Sequence, residues 1–195
     1  MEEKKVTLKD GREAVIRSAT MDDVDALHAF YCALPDEDRR FLRKDVTQRH
    51  FVQQRLRDIA KGRAHRLLVT VDGEIIGNGS LELGESGWKE DIGEIRLIVS
   101  REHQHIGVGT LLARELYFLA AKQNVVRIEV RMLRPQVKAQ SIMRKLGFRE
   151  GFVIPDHVRD QNGEWQDLIV MRCDLEELWD EMEDLMTDSD WRRHR

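Results

Sequence analysis

The sequence predicts an α+β domain of three layers, a central sheet of about seven strands flanked by about five helices. Two observations lead there. Short β-rich segments at 67–71, 75–83, 94–99 and 125–130 occur in mixed order with helical stripes, not in strict alternation with them. A length of 195 residues with 41% hydrophobic residues gives one domain enough core to fold without disulfides or metals.

Each element has a local cause. Asp10-Gly11 is a turn, and a strand at 13–18 follows with Ala14 and Ile16 alternating. Thr20 caps a helix whose first acids, Asp22 and Asp23, suit its positive end. Val24, Leu27, His28 and Tyr31 keep helical spacing until Pro35. A second helix at 46–61 carries Phe51, Leu56 and Ile59. The strands 67–71 and 75–83 meet at Asp72-Gly73, a hairpin signal. Strand 94–99 enters a glycine-bearing loop at 101–109 and then a helix at 108–122 striped by Leu111, Leu112, Leu116 and Leu119. Strand 125–130 precedes Pro135, and a helix at 136–146 ends at Gly147. Strands at 148–154 and 165–173 complete a domain at 1–173. The tail at 174–195 begins as an acidic amphipathic helix, 174–186, which is either packed on its own domain or a homodimer or partner surface.

Charge and cysteine usage narrow the function. Thirty-two basic and 36 acidic residues, net −4, argue against a nucleic-acid binder. No apolar run reaches membrane length, and the charged start Met1-Glu2-Glu3-Lys4-Lys5 is not an export signal, so a cytoplasmic protein is expected. Cys32 and Cys173 have no disulfide or zinc spacing and read as packed thiols. His103 and His105 lack a completing ligand and read as solvated loop residues, so no metal is expected.

The chemistry is concentrated at 94–122. Gln104-His105-Ile106-Gly107-Val108-Gly109 stands between a strand and a helix. Glycines at a helix start let backbone N–H groups approach an anion, and the helix end adds positive potential. The Gly-Lys-Ser/Thr of a P-loop is missing, as is the third glycine of a dinucleotide fingerprint. Taken alone, the loop is equally a glycine-assisted turn.

With Lys145-Leu146-Gly147-Phe148 ending a later helix, this order resembles the GNAT acetyltransferase superfamily over residues 12–173. The resemblance implies a mixed, mostly antiparallel sheet and acetyl-CoA as co-substrate. It places Gln104, His105, Ile106, Gly107, Val108, Gly109 and Thr110 at the phosphates, with His105 and Ile106 departing from the commoner glycine and basic residue. The edge of Leu97–Val99 would bond the pantetheine arm as an added strand, and an N–H near Ile98 would hold the oxyanion. In the second motif Gln136 replaces the usual asparagine and Met143 the usual tyrosine acid, while Ser141 is one group that would assist the leaving thiolate.

The implied reaction is direct attack of a primary amine, from a small molecule or a protein lysine, on the thioester. The start of the chain, Leu8-Lys9-Asp10-Gly11 through Phe41-Leu42-Arg43, is similar to bacterial protein-lysine acetyltransferase domains. Glu94 is the first candidate base, the other reading being a strand glutamate paired with Arg96; Glu82 is the second candidate. Tyr31 reads as packing, and Trp88 as a residue of the acceptor cleft. The competing function is a non-catalytic acetyl-CoA-binding module, favoured by Met143 and the tail.

Overall fold

The computed structural model describes residues 3–84 and 87–176. Its strands are β1 (Lys4–Thr7), β2 (Glu13–Ser18), β3 (Ala64–Val71), β4 (Glu74–Leu83), β5 (Ile92–Val99), β6 (Arg127–Leu133), β7 (Arg149–Arg159) and β8 (Trp165–Asp174). Its α-helices are α1 (Val24–Ala33), α2 (Asp36–Arg39), α3 (Arg49–Ala60), α4 (Val108–Lys122) and α5 (Val137–Lys145). The strands form one sheet in the order β1-β2-β3-β4-β5-β6-β8-β7. All neighbours are antiparallel except β5 and β6. The mixed three-layer α+β expectation therefore holds, with eight strands in place of about seven.

Local chemistry accounts for the connections. At the β3–β4 turn Asp72 and Gly73 have φ of +50° and +84°, the left-handed pair that a tight hairpin needs. The Asp23 carboxylate accepts the Thr20 N–H at 2.8 Å and two bonds from the Arg17 guanidinium at 2.6 and 2.8 Å. That fixes the entry to α1. At the end of α5, Gly147 is left-handed and the Phe148 N–H reaches back to the Met143 carbonyl, closing the helix.

The sheet carries two cores. One face packs α4 and α5 through Leu112, Leu116, Met143 and Phe148. The other packs α1 and α3 through Leu27, Tyr31, Val52 and Leu56. Helix α4 packs against glycines of β4, where there is no room for a side chain. A Cβ at Gly77 would stand 2.8 Å from Val108 Cγ1, and one at Gly79 3.0 Å from Leu116 Cδ1.

Several boundaries differ from expectation. Strand β1 was not foreseen, because Lys4-Lys5-Val6-Thr7 has no apolar alternation; it forms by pairing along β2. Strand β6 starts two residues later than expected and runs to Leu133, drawn out by its seven-residue pairing with β8. Strand β7 continues past Pro155, which an edge strand tolerates, with a register shift between Ile154 and Val158. Cys32 is exposed, not packed, whereas Cys173 is buried. Beyond Glu176 the expected tail helix lies outside the described residues.

One tertiary clamp matters for the site. Arg40 donates to Asp160 at 2.8 Å, and the Gln161 side chain donates to the carbonyls of Leu42 and Lys44, each at 3.1 Å. The β7–β8 loop thereby fixes the path of residues 40–44.

Candidate functional site

The site begins where β5 and β6 part. Their parallel pairing covers Ile92 to Glu94 on β5 and Arg127 to Glu129 on β6. Strand β5 then continues to Val99 paired with β4 alone. One edge of its last five residues is therefore free of a strand partner. Alternation tells which groups face that edge. Gly84 N–H bonds the Ile92 carbonyl and Ser100 N–H bonds the Ile76 carbonyl, so even-numbered β5 residues bond β4. Val126 and Arg127 donate to the Asp91 carbonyl, so odd-numbered residues face β6. The N–H groups that face the gap are those of Leu97 and Val99. That of Ile98, the expected oxyanion donor, is turned to β4, a correction that follows from the two-residue period.

At the end of this edge stands the loop. Gln104 Nε2 donates to the Val99 carbonyl at 3.3 Å, tying the loop to the strand. His105 has φ +66° and Gly107 φ +98°. The turn aims the start of the 15-residue α4 at the gap end of β5. Its first intrahelical bond is Leu111 N–H to the Gly107 carbonyl, at 2.9 Å. The N–H groups of Val108, Gly109 and Thr110 precede that bond and lack an intrahelical acceptor, and the first turn holds no acid. Lys9 is a residue that sequence reasoning missed. Its N–H bonds the Ile106 carbonyl at 3.1 Å, and its side chain runs 3.6–3.9 Å from where a Gly107 Cβ would be. The cation absent from position 106 thus arrives from the β1–β2 turn. Free N–H groups, a helix N-terminus and a neighbouring ammonium suit a diphosphate.

A cavity of about 120 Å³ opens between the splayed strands. Leu97, Met132, Ala139 and Met143 line it on the α4 and α5 side, and Tyr31, Leu42 and Asn78 on the α1 and α3 side. Met143 is buried in its wall and brings no proton. Gln136 also lines it, with its side-chain carbonyl accepting the Leu133 N–H at 2.8 Å. Ser141 is exposed and outside the lining. Trp88 is fully exposed and does not reach the cavity.

The charged lining is all arginine: Arg43, Arg55, Arg66, Arg96 and Arg131. Glu94 lies behind them, not in the lining. It pairs with Arg43, with Arg96 at 3.1 Å and with Arg131 at 3.8 Å. Glu82 is likewise engaged, by Ser80 at 3.0 Å and Arg66 at 3.3 Å. Burial pulls the pKa of Arg43 and of Arg66 downward; Glu94 opposes the shift of Arg43 in part, and Tyr31 and then Glu82 oppose that of Arg66 in part.

This arrangement can be set beside known proteins. The sequence profile of the Acetyltransferase (GNAT) family matches residues 21–148. The chain belongs to the GNAT family. It is an acyl-CoA-dependent N-acetyltransferase with acetyl-CoA as co-substrate. Among solved structures, ribosomal-protein-S5-alanine acetyltransferase from Vibrio fischeri superposes with TM-score 0.72 at 17% identity, covering 83% of this chain and 92% of its own. RimJ from Mycobacterium smegmatis, solved in complex with CoA-disulfide, gives 0.71 at 19% identity, with 90% and 88% covered. A chimera of spermidine N-acetyltransferase SpeG from Vibrio cholerae and hSSAT gives 0.69 at 20%, with 84% and 96% covered. At these identities the GNAT structures attest the shared fold. Among the described residues no helix is long and apolar enough to cross a membrane, and no group of three His, Cys, Asp or Glu is placed to hold a metal ion.

Proposed function

We propose that the protein transfers the acetyl group of acetyl-CoA to a primary amine by direct attack, at the free edge of β5. The observation that carries this is the unpaired Leu97–Val99 edge, which runs from the start of α4 to the cavity. The phosphates bind the N–H groups of Val108, Gly109 and Thr110, with Gln104, His105, Ile106 and Gly107 shaping the turn and Lys9 adding charge. The pantetheine arm pairs with β5 as an extra strand, over Gln136, Ala139 and Met143. A gap-facing N–H, of Leu97 or Val99, donates to the carbonyl oxygen as negative charge develops on it.

Proton handling follows from the wall chemistry. An alkylamine of pKa ~10.4 is well under one per cent neutral at pH 7. No carboxylate or imidazole lines the cavity, and Glu94 would have to leave its arginine partners to act as the base. The guanidiniums do this work differently, because nearby positive charge lowers the pKa of an incoming ammonium and favours its reactive neutral form. They also stabilise the departing thiolate, whose ordinary pKa of ~8.5 already makes it a fair leaving group without a tyrosine at position 143, and the proton that the attacking nitrogen sheds as the amide forms passes to that thiolate or to solvent. Glu94 then serves as a positioning residue that orients Arg43, Arg96 and Arg131.

The test combines calorimetric titration with acetyl-CoA and an assay of thiol release over a panel of amines. Saturable binding is expected in the wild type and is lost in Gly107→Glu, which sets a side chain at φ +98° and a negative charge at the phosphates. A folded wild type that does not bind acetyl-CoA overturns the proposal.

A further inference from the structure

We infer that the acceptor carries an anionic group, a carboxylate or a phosphate, beside its amine, and that Arg55 and Arg66 hold it. The inference rests on the transferase reading above and names the substrate class of the same cavity.

The first ground is charge. Five arginines line the cavity and no aspartate, glutamate or lysine does. Among the described residues their acidic partners are Glu82, Glu94 and Glu129. Five guanidiniums facing three carboxylates leave two positive charges in excess. The surplus is not spread evenly. Arg43, Arg96 and Arg131 share Glu94, whereas Arg55 has no carboxylate partner among the described residues. Its contacts are the Tyr31 hydroxyl at 3.4 Å and the face of the Tyr31 ring at 5.8 Å.

The second ground is independent of charge counting. Arg66 is 4% exposed, and its Nε is a buried donor without a hydrogen-bond partner. Its other nitrogens reach Asn78 Oδ1 at 3.1 Å and Glu82 Oε1 at 3.3 Å. A buried, unmatched guanidinium donor costs free energy that a bound anion would recover. Asn78 Oδ1 also accepts from the Tyr31 hydroxyl at 2.7 Å, so Tyr31, Asn78 and Arg66 form one rigid wall beneath Arg55.

Position separates this cluster from the phosphate cradle. Arg96 precedes Val99 by three residues, about 10 Å along the strand, and the loop lies beyond Val99. By strand alternation Arg96 shares the face of its neighbour Ile98, which packs with α1 and α3, opposite α4. Arg66 stands level with Arg96 across Ser80 of β4, so the anion it holds sits on that face, away from the CoA diphosphate. A polycationic amine would meet the same field as repulsion.

The experiment titrates malonate and, separately, inorganic phosphate into the wild type and Arg55→Gln, each with and without saturating acetyl-CoA, and into Gly107→Glu without it. At least one anion should bind saturably. Its affinity should fall tenfold or more in Arg55→Gln and persist in Gly107→Glu, and the better of the two anions assigns the carboxylate or phosphate form. In the transfer assay, glutamate and O-phosphoethanolamine should exceed spermidine tenfold or more in kcat/KM. No anion binding in the wild type, binding unchanged in Arg55→Gln, or spermidine as the best acceptor would each overturn the inference. Failure of acetyl-CoA binding in the same samples would instead count against the transferase reading, and the anion titrations would then decide only whether Arg55 and Arg66 form an anion site.

Discussion

Replacing Gly77 by alanine couples the core to the cofactor loop. The new Cβ would lie 2.8 Å from Val108 Cγ1 and 3.3 Å from Leu112 Cδ1. Ordinary carbon contacts begin near 3.5 Å, so the first turn of α4 or the Val108 side chain must give by about 0.7 Å. Overpacking of this kind costs about 1–3 kcal/mol. For a chain of this length that lowers Tm by about 2–12 °C. Because Val108 is the first residue of α4, the movement falls on the N–H groups assigned to the phosphates, and acetyl-CoA affinity should fall as well. Gly79→Ala is the control. Its Cβ would meet Leu116 Cδ1 at 3.0 Å, two turns further along, and Leu112 Cδ2 and Leu97 Cδ2 at 3.2 Å; because Val108 is not touched, stability should fall while affinity falls less than in Gly77→Ala. Thermal unfolding and acetyl-CoA titration are measured for Gly77→Ala, Val108→Ala and the double variant. The double variant should lose less stability than the two single losses combined, by about 1 kcal/mol. A neutral Gly77→Ala, or strict additivity with Val108→Ala, would refute the packing argument.

Other outcomes follow from the same geometry. His105→Gly should raise stability by up to about 1 kcal/mol in thermal unfolding, since a left-handed φ of +66° strains a side chain more than glycine's extra chain entropy costs. Asp160→Ala removes the acceptor of Arg40 and Gln166 and should loosen residues 40–44, raising the acceptor KM severalfold while acetyl-CoA affinity holds. The Arg17 guanidinium, and after it the Thr20 N–H, hold the Asp23 carboxyl below its ordinary 3.8. Its folded-state pKa is depressed, so its contribution to stability is complete above about pH 4 and is lost as pH falls through the lower folded value. Denaturant midpoints for Asp23→Asn should therefore approach those of the wild type only in that acid range.

The cofactor loop was legible because its signals are local. A strand, two glycines and a leucine stripe follow one another within thirty residues, and the Asp72-Gly73 turn and Gly147 stop are equally short-range. What the sequence hid is set by pairing across the chain. Glu94 has a candidate base's position, and Arg96 was its visible neighbour, yet Arg43 and Arg131 converge on it only through the loop after α2 and through β6. Lys9 reaches Gly107 only because β1 and β2 form. Ile98 and its neighbours cannot be told apart as donors until one knows which edge of β5 faces β4. An arginine cluster drawn from five separate elements has no spacing for a motif to record.

Amide hydrogen exchange with and without acetyl-CoA tests the central claim most directly. Saturating acetyl-CoA should slow exchange at Leu97 and Val99 and at Val108, Gly109 and Thr110, with strand β7 unchanged. Saturable binding that leaves those five amides exchanging at their free rates would contradict the placement of the cofactor along β5 and at the start of α4.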